Sequence, residues 1–199
     1  MPDNTFKIIF LVCMIVAEVI RFPHRQRNKR EMRQKKLAES RINPLDTALD
    51  LLAFTGMEII PLIYIFTPWL DFANYTLPAV LGWLGTAIFI VALWLLWRAH
   101  ADLGVNWSPT LQITREHLLV TQGVYHYIRH PIYAAMWLWG IAQVLLLQNW
   151  IAGPATLLFY GIVYFRRVPR EEQMMLDHFG DEYRAYMQQT GRVIPRLRT

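Results

Sequence analysis

Residues 132–165 form a run of 34 residues without one charged side chain, and few folds can accommodate it. As a single helix the run would measure about 51 Å at 1.5 Å per residue, well beyond a hydrocarbon core of about 30 Å. Its middle reads Gln148-Asn149-Trp150, with Gly153-Pro154 soon after, which is turn chemistry. The run therefore divides into two helices in a tight hairpin, about residues 131–147 and 150–167. A second uncharged run, 77–97, closes on Trp94, Trp97 and Arg98, residues suited to a membrane interface. Residues 6–20 and 51–70 supply two more apolar stretches, the second with Pro61 and Glu58 inside it and Asp46 and Asp50 just before it. The expected fold is an all-α integral membrane protein with five transmembrane helices. Composition agrees, because only 18% of residues are charged where a soluble domain carries about a quarter.

Charge supplies the orientation. Nine of the 20 Lys and Arg residues lie within 21–41. The positive-inside rule places that loop in the cytoplasm and the short N-terminus outside. Five spans then put residues 99–130 and 168–199 on the cytoplasmic side as well. The formal charge of +5 is accounted for by this arrangement and by anionic lipid headgroups, so nucleic-acid binding is not expected. Disorder and a disulfide scaffold are excluded too, since Cys13 is the one cysteine. Basic residues follow the first apolar stretch where a cleavage site should lie, so it reads as an anchor. The whole chain, 1–199, is expected to be one membrane domain. Residues 1–100 hold three spans and the basic loop 21–45, and residues 101–199 hold the catalytic core.

Pro169 lacks an N–H and disfavours helix at the preceding residue, so the fifth span is expected to break or kink there. A new amphipathic helix would then carry Glu171 and Glu172 in its first turn and Met175, Phe179, Tyr183 and Tyr186 on one face. It would lie over a cytosolic-side pocket.

Polar residues concentrate at the cytoplasmic ends of the last three spans. Asn106, Trp107, Ser108, Gln112 and His117 form one group, Gly123 to Tyr133 a second, and Arg166 to Glu172 a third. Each member has a structural reading. Arg129, Arg166 and Arg167 could anchor at the interface, Pro131 could open a helix, and the glutamates could form a solvated first turn. Within the spans, Glu58 is costly if ionised. Glu18 could reach the basic loop, and Gln143 suits an interhelical hydrogen bond. The six histidines show no metal-ligand spacing, so no metal is expected.

Taken together, the groups resemble the isoprenylcysteine carboxyl methyltransferase family, in particular its small five-span prokaryotic branch. The pattern G-x-Y-x-x-x-R-H-P-x-Y is met at Gly123, Tyr125, Arg129, His130, Pro131 and Tyr133. R-x-x-x-E-E is met at Arg167, Glu171 and Glu172, and F-G-x-x-Y-x-x-Y at Phe179 to Tyr186. The resemblance implies a membrane methyltransferase using S-adenosylmethionine without a Rossmann domain. By the same resemblance Gln112, His117, Leu118, Leu119, Val120, Tyr125, His130, Pro131, Ile132, Tyr133 and Glu171 would form the cofactor pocket. Arg167 would bind the substrate carboxylate and act in catalysis. Arg129 and Glu172 would join the catalytic group by orienting it, with His126 at a variable position of the motif. The implied acceptor is a lipid-like small molecule or prenylated substrate, and membrane lipids are the other expected partners.

The residue types suit that chemistry. S-adenosylmethionine carries a sulfonium and an ammonium, for which Glu171, Glu172 and the tyrosine rings are fitting partners. A carboxylate acceptor, with a pKa of about 3.5, is already ionised at neutral pH and needs no general base. It needs a fork-shaped cation such as Arg167. Three other readings stand beside this one. A phospholipid-amine methyltransferase would need a neutral amine, for which Arg167 is a poor neighbour. An NADPH-dependent sterol-type reductase would place the arginines on phosphates, against the adjacent glutamates. A non-enzymatic assembly protein would use the same residues as anchors. The oligomeric state is not encoded legibly.

Overall fold

The uncharged run divides where its turn chemistry lies. A computed structural model describes residues 4–34, 37–40, 44–104, 112–114 and 118–196. In it the helix α5 (Pro131–Leu147) stops at Gln148, whose backbone is left-handed at φ 46°, and α6 (Ala155–Phe179) starts after Pro154. The turn between them is tied to the loop that precedes α4 (Ala79–Leu103). Tyr75 N–H donates to the Gln148 carbonyl at 2.9 Å, and the Asn149 amide donates to Leu70 O at 2.7 Å and Asn74 Oδ1 at 3.0 Å.

The other helices are α1 (Asn4–Gln34), α2 (Pro44–Phe54), α3 (Ile60–Phe66) and α7 (Asp181–Gln189). A π-helical turn, Thr55–Ile59, joins α2 to α3. Two stretches are long and apolar enough to cross a membrane, Pro44–Phe66 and Ala79–Leu103, and α5 is a shorter apolar helix. Their outward faces keep large apolar side chains exposed, among them Leu51, Val80, Trp83, Ile90, Val91 and Trp94, a continuous apolar surface of the kind lipid covers. The core lies where α1, α4 and α5 meet. Phe10, Phe89 and Trp139 form its aromatic centre, with ring centroids 4.9–6.5 Å apart.

Two departures from the sequence reading affect the site. The helical body carries a two-stranded antiparallel ribbon, β1 (Leu37–Ser40) on β2 (Gln112–Thr114), which joins the basic loop to the segment before α5. More consequentially, α6 does not break at Pro169. It continues to Phe179 and yields only at Gly180, where φ is +56° and α7 begins. The first helix also outruns its apolar stretch, reaching Gln34 through Pro23.

Candidate functional site

The segment 123–130 is held from three sides. Gly123, at φ +60°, brings its backbone against Asp102, where a Cβ would fall 2.1 Å from a carboxylate oxygen. Only glycine fits both conditions. The next N–H, that of Val124, donates to Asp102 at 2.9 Å, and Arg98 holds the other oxygen at 2.7 Å. Tyr186 Oη donates to the Tyr125 carbonyl at 2.6 Å. Arg129 N–H and His130 N–H then donate to the carbonyls of Gly191 and Arg192, each at 2.9 Å. Residues 191–192 thus pair with the motif through an isolated parallel bridge, Ile128 to Gly191.

Glu172 locks this arrangement. Its carboxylate accepts from Arg129 Nε at 2.8 Å and from Arg192 at 2.6–3.1 Å, with His130 Nε2 at 3.3 Å. Burial alone would raise its pKa. The hydrogen bonds from His130, Arg192 and Arg129 outweigh that effect and hold it at about 2. Arg129 spends its remaining reach on the Thr190 carbonyl. Both residues were expected in the catalytic group, but their polar atoms are committed to each other and to the tail. Arg192, the third member, was not singled out from the sequence, where a basic residue near a chain end looks like ordinary surface charge.

Glu171, the preceding residue on α6, has different neighbours. Its charge acts on the Tyr133 hydroxyl, and its Oε2 is buried with no hydrogen-bond partner among the described residues. A buried carboxylate oxygen left unpaired is expensive, so this position calls for a cationic group. Aromatic side chains surround it. Tyr133 lies 5.6–5.9 Å from the rings of His130, Tyr160 and Tyr164. Tyr125 is buried, and its hydroxyl pKa is raised by burial and then by Glu171, Tyr186 and Asp102.

Because α6 is continuous, Arg167 and Glu171 stand four residues apart on one helical face. Arg167 is buried and donates from Nη1 to Asp50 Oδ1 at 2.8 Å. Arg170, three residues on, donates to both oxygens of the buried Asp46, at 2.7 and 3.3 Å. Arg166 faces outward. Asp46 and Asp50 were noted only as acids before a span. Their spacing of four, against arginines three apart on α6, was the available signal for this pairing.

The remaining candidates divide. Pro131 opens α5 and is buried. Ile132 packs toward the core cluster of the bundle, so it supports the wall from behind. Leu118 is exposed and Leu119 and Val120 half-buried in extended chain leading to Tyr125. Gln112 lies in β2 opposite Ser40. His117 falls outside the described residues, as do Asn106, Trp107 and Ser108. His126 is exposed and stacks edge-on against Tyr127. In the spans, Gln143 is fully satisfied by Trp139, Thr156, Gly56 and Ala152, and Glu18 pairs with Arg21 and Arg25 at 3.1 and 2.8 Å.

Comparison with known proteins follows this geometry closely. Residues 83–177, from α4 through the Arg167–Glu172 stretch, match the model of the isoprenylcysteine carboxyl methyltransferase family. The chain is 33% identical over 136 residues to a protein-S-isoprenylcysteine O-methyltransferase of Tribolium castaneum, covering 64% of this chain and 48% of the relative. It is 36% identical over 86 residues to the Schizosaccharomyces pombe protein of the same name, covering 42% and 35%. A solved structure, that of a eukaryotic intramembrane Ras methyltransferase described as isoprenylcysteine carboxyl methyltransferase, aligns with a TM-score of 0.54 at 29% identity. The alignment covers 78% of this chain and 54% of that one. The chain spans about a third to a half of the length of the curated relatives it matches.

Proposed function

Through residues 83–177 the chain belongs to the isoprenylcysteine carboxyl methyltransferase family, and on that premise we propose that it is an integral membrane carboxyl methyltransferase dependent on S-adenosylmethionine. The acceptor is the carboxylate of an isoprenylcysteine or similar lipid-like molecule. The names of its relatives support the acceptor class, as does the buried guanidinium of Arg167. Five spans, with the site on the cytoplasmic side, fit the charge distribution and the division of residues 101–199 into motif, hairpin and C-terminal helices.

The observation that carries the cofactor reading is the unpaired, buried Oε2 of Glu171. S-adenosylmethionine, when bound, supplies an activated methyl on a sulfonium and brings an ammonium that such an oxygen can accept from. Around it, Tyr125 and Tyr133 offer ring faces to a cation. Arg167 orients the acceptor carboxylate through its fork of N–H donors. No residue need remove a proton, since that carboxylate is anionic at neutral pH. Arg129, His130, Glu172 and Arg192 keep the motif seated so that Tyr125, Tyr133 and Glu171 stay in register.

Calorimetry on detergent-purified protein tests the reading. Saturable binding of S-adenosylhomocysteine is expected, lost in Glu171→Ala and absent for NADPH. Binding of NADPH instead would replace the methyltransferase with a reductase. Binding of neither, by protein with a cooperative unfolding transition, would leave no cofactor reading standing.

A further inference from the structure

Two acid–base rungs join α2 to α6, and they are built in opposite senses. In the Arg170–Asp46 rung the acid is buried, with 1% of its side chain exposed, and it is gripped through both oxygens. Asp46 cannot leave without stranding a charge in a dry environment. In the Arg167–Asp50 rung the burial is reversed. The arginine side chain is 10% exposed and the aspartate 51% exposed, and Nη1 to Oδ1 is the hydrogen bond between them. Asp50 is the exposed member of the pair and is free to rotate away from Arg167. Arg167 is the buried member, and the Glu171 carboxylate also acts on it from one turn along α6.

We propose that Asp50 is an exchangeable placeholder for the acceptor carboxylate: it pairs with Arg167 in the resting protein, is displaced when the acceptor binds, and returns once the acceptor has been esterified. This rests on the carboxyl methyltransferase reading of the site. An arriving carboxylate offers Arg167 the same charge and the same oxygens as Asp50, so exchange conserves the buried pair. Methyl transfer then breaks that equivalence. A bond forms from the carboxylate oxygen to the methyl carbon, the carbon–sulfur bond breaks, and its electron pair stays on sulfur. The acceptor becomes a neutral ester. Its oxygens are weaker partners for a guanidinium than a carboxylate is, so Asp50 recovers Arg167 and the product loses its hold. The Arg170–Asp46 rung persists throughout and keeps α2 against α6 while Asp50 moves. Asp50 is a positioning residue, acting through Arg167.

The test is methyl transfer from radiolabelled S-adenosylmethionine to N-acetyl-S-farnesylcysteine, in wild type and in Asp50→Asn, which keeps shape and removes charge. Without the competing carboxylate, the KM for the acceptor falls about fivefold, in line with the loss of one half-exposed ion pair. The KM for S-adenosylmethionine stays unchanged, and inhibition by the methyl ester product strengthens. An unchanged acceptor KM with a lower kcat would mean that Asp50 merely orients Arg167, and it overturns the proposal alone. Absence of transfer by the wild-type chain overturns the functional reading and the proposal with it. Should Asp50→Asn not fold, hydrogen exchange on the wild type decides. With S-adenosylhomocysteine bound, addition of the acid speeds amide exchange around Asp50, in the second half of α2, and addition of the methyl ester does not. Equal effects of acid and ester would overturn the proposal.

Discussion

Glu172 gathers more charge than any other single side chain in the site, with Arg129, Arg192 and His130 all within 3.3 Å of its oxygens. Removing it leaves the buried Arg129 without its anion, so Glu172→Gln should cost about 3 kcal/mol and appear as a lowered Tm in detergent. Arg192, whose side chain is 48% exposed, should cost about 1 kcal/mol when changed to alanine. The pH dependence has a definite sign. The folded carboxyl titrates at about 2 rather than its ordinary 4.5, so its stabilisation is complete above about 4.5 and disappears as pH falls through about 2. The wild-type Tm should therefore decline across that window by more than the Glu172→Gln Tm does. Equal declines would show that Glu172 is not held as its geometry implies. At this scale the sequence told which residues matter but not how. The motif spacing picked out Arg129 and Glu172, yet motif spacing cannot distinguish a residue that meets a ligand from one that seats its neighbours. The pairings of Arg192 and Asp50 were hard to read because their partners lie 20 and 117 residues away.

Helices were legible wherever their boundaries depend on local chemistry. The end of α5 beside Gln148-Asn149 and the start of α6 after Gly153-Pro154 are set by turn residues. The continuity of α6 past Pro169 is set by partners distant in sequence: Arg167 and Arg170 are fastened to α2, and Glu172 to the motif and tail. These ties flank the proline and outweigh the loss of one backbone hydrogen bond. The π-helical turn at Thr55–Ile59 was equally hidden. Its Gly56 carbonyl receives Gln143 Nε2 at 3.2 Å and Thr156 Oγ1 at 3.0 Å, linking the second apolar stretch to both arms of the hairpin. Gly56 also admits α6 closely, since a Cβ there would lie 2.7 Å from the Ala155 carbonyl oxygen. Gln143→Leu strands the Trp139 indole N–H and the Ala152 carbonyl and should lower stability by about 2 kcal/mol. Gly56→Ala should lower it as well, by forcing α6 outward. Because both act on one junction, the double variant should lose less than the sum of the two. Thermal unfolding of the three proteins measures this, and strict additivity would show that the junction is not a unit.

The molecule as a whole has two ends, and the tertiary contacts identify which segments share each. Residues 70–77 meet the 148–154 turn through Asn74, Asn149, Tyr75 and Gln148. At the other end the motif, the C-terminal part of α6 and the tail meet around Glu172. There too His24 of α1 stacks on His100 of α4 with ring centroids 4.7 Å apart. If the apolar stretches cross the bilayer, these ends lie on opposite faces, and the basic residues after the first stretch place the Glu172 end in the cytoplasm. Side-selective labelling checks this directly. In a Cys13→Ser background, Trp150→Cys alters a side chain 71% exposed in the hairpin turn, while Glu182→Cys alters an exposed position on α7. An impermeant maleimide added to intact cells should label the first variant at once and the second only after permeabilisation. The reverse pattern would invert the protein and put the site on the outer face. Labelling of both from outside would mean that an odd number of crossings no longer separates the two ends. The expected pattern places Arg167 and Glu171 where a cytosolic cofactor and a membrane-borne carboxylate can both arrive.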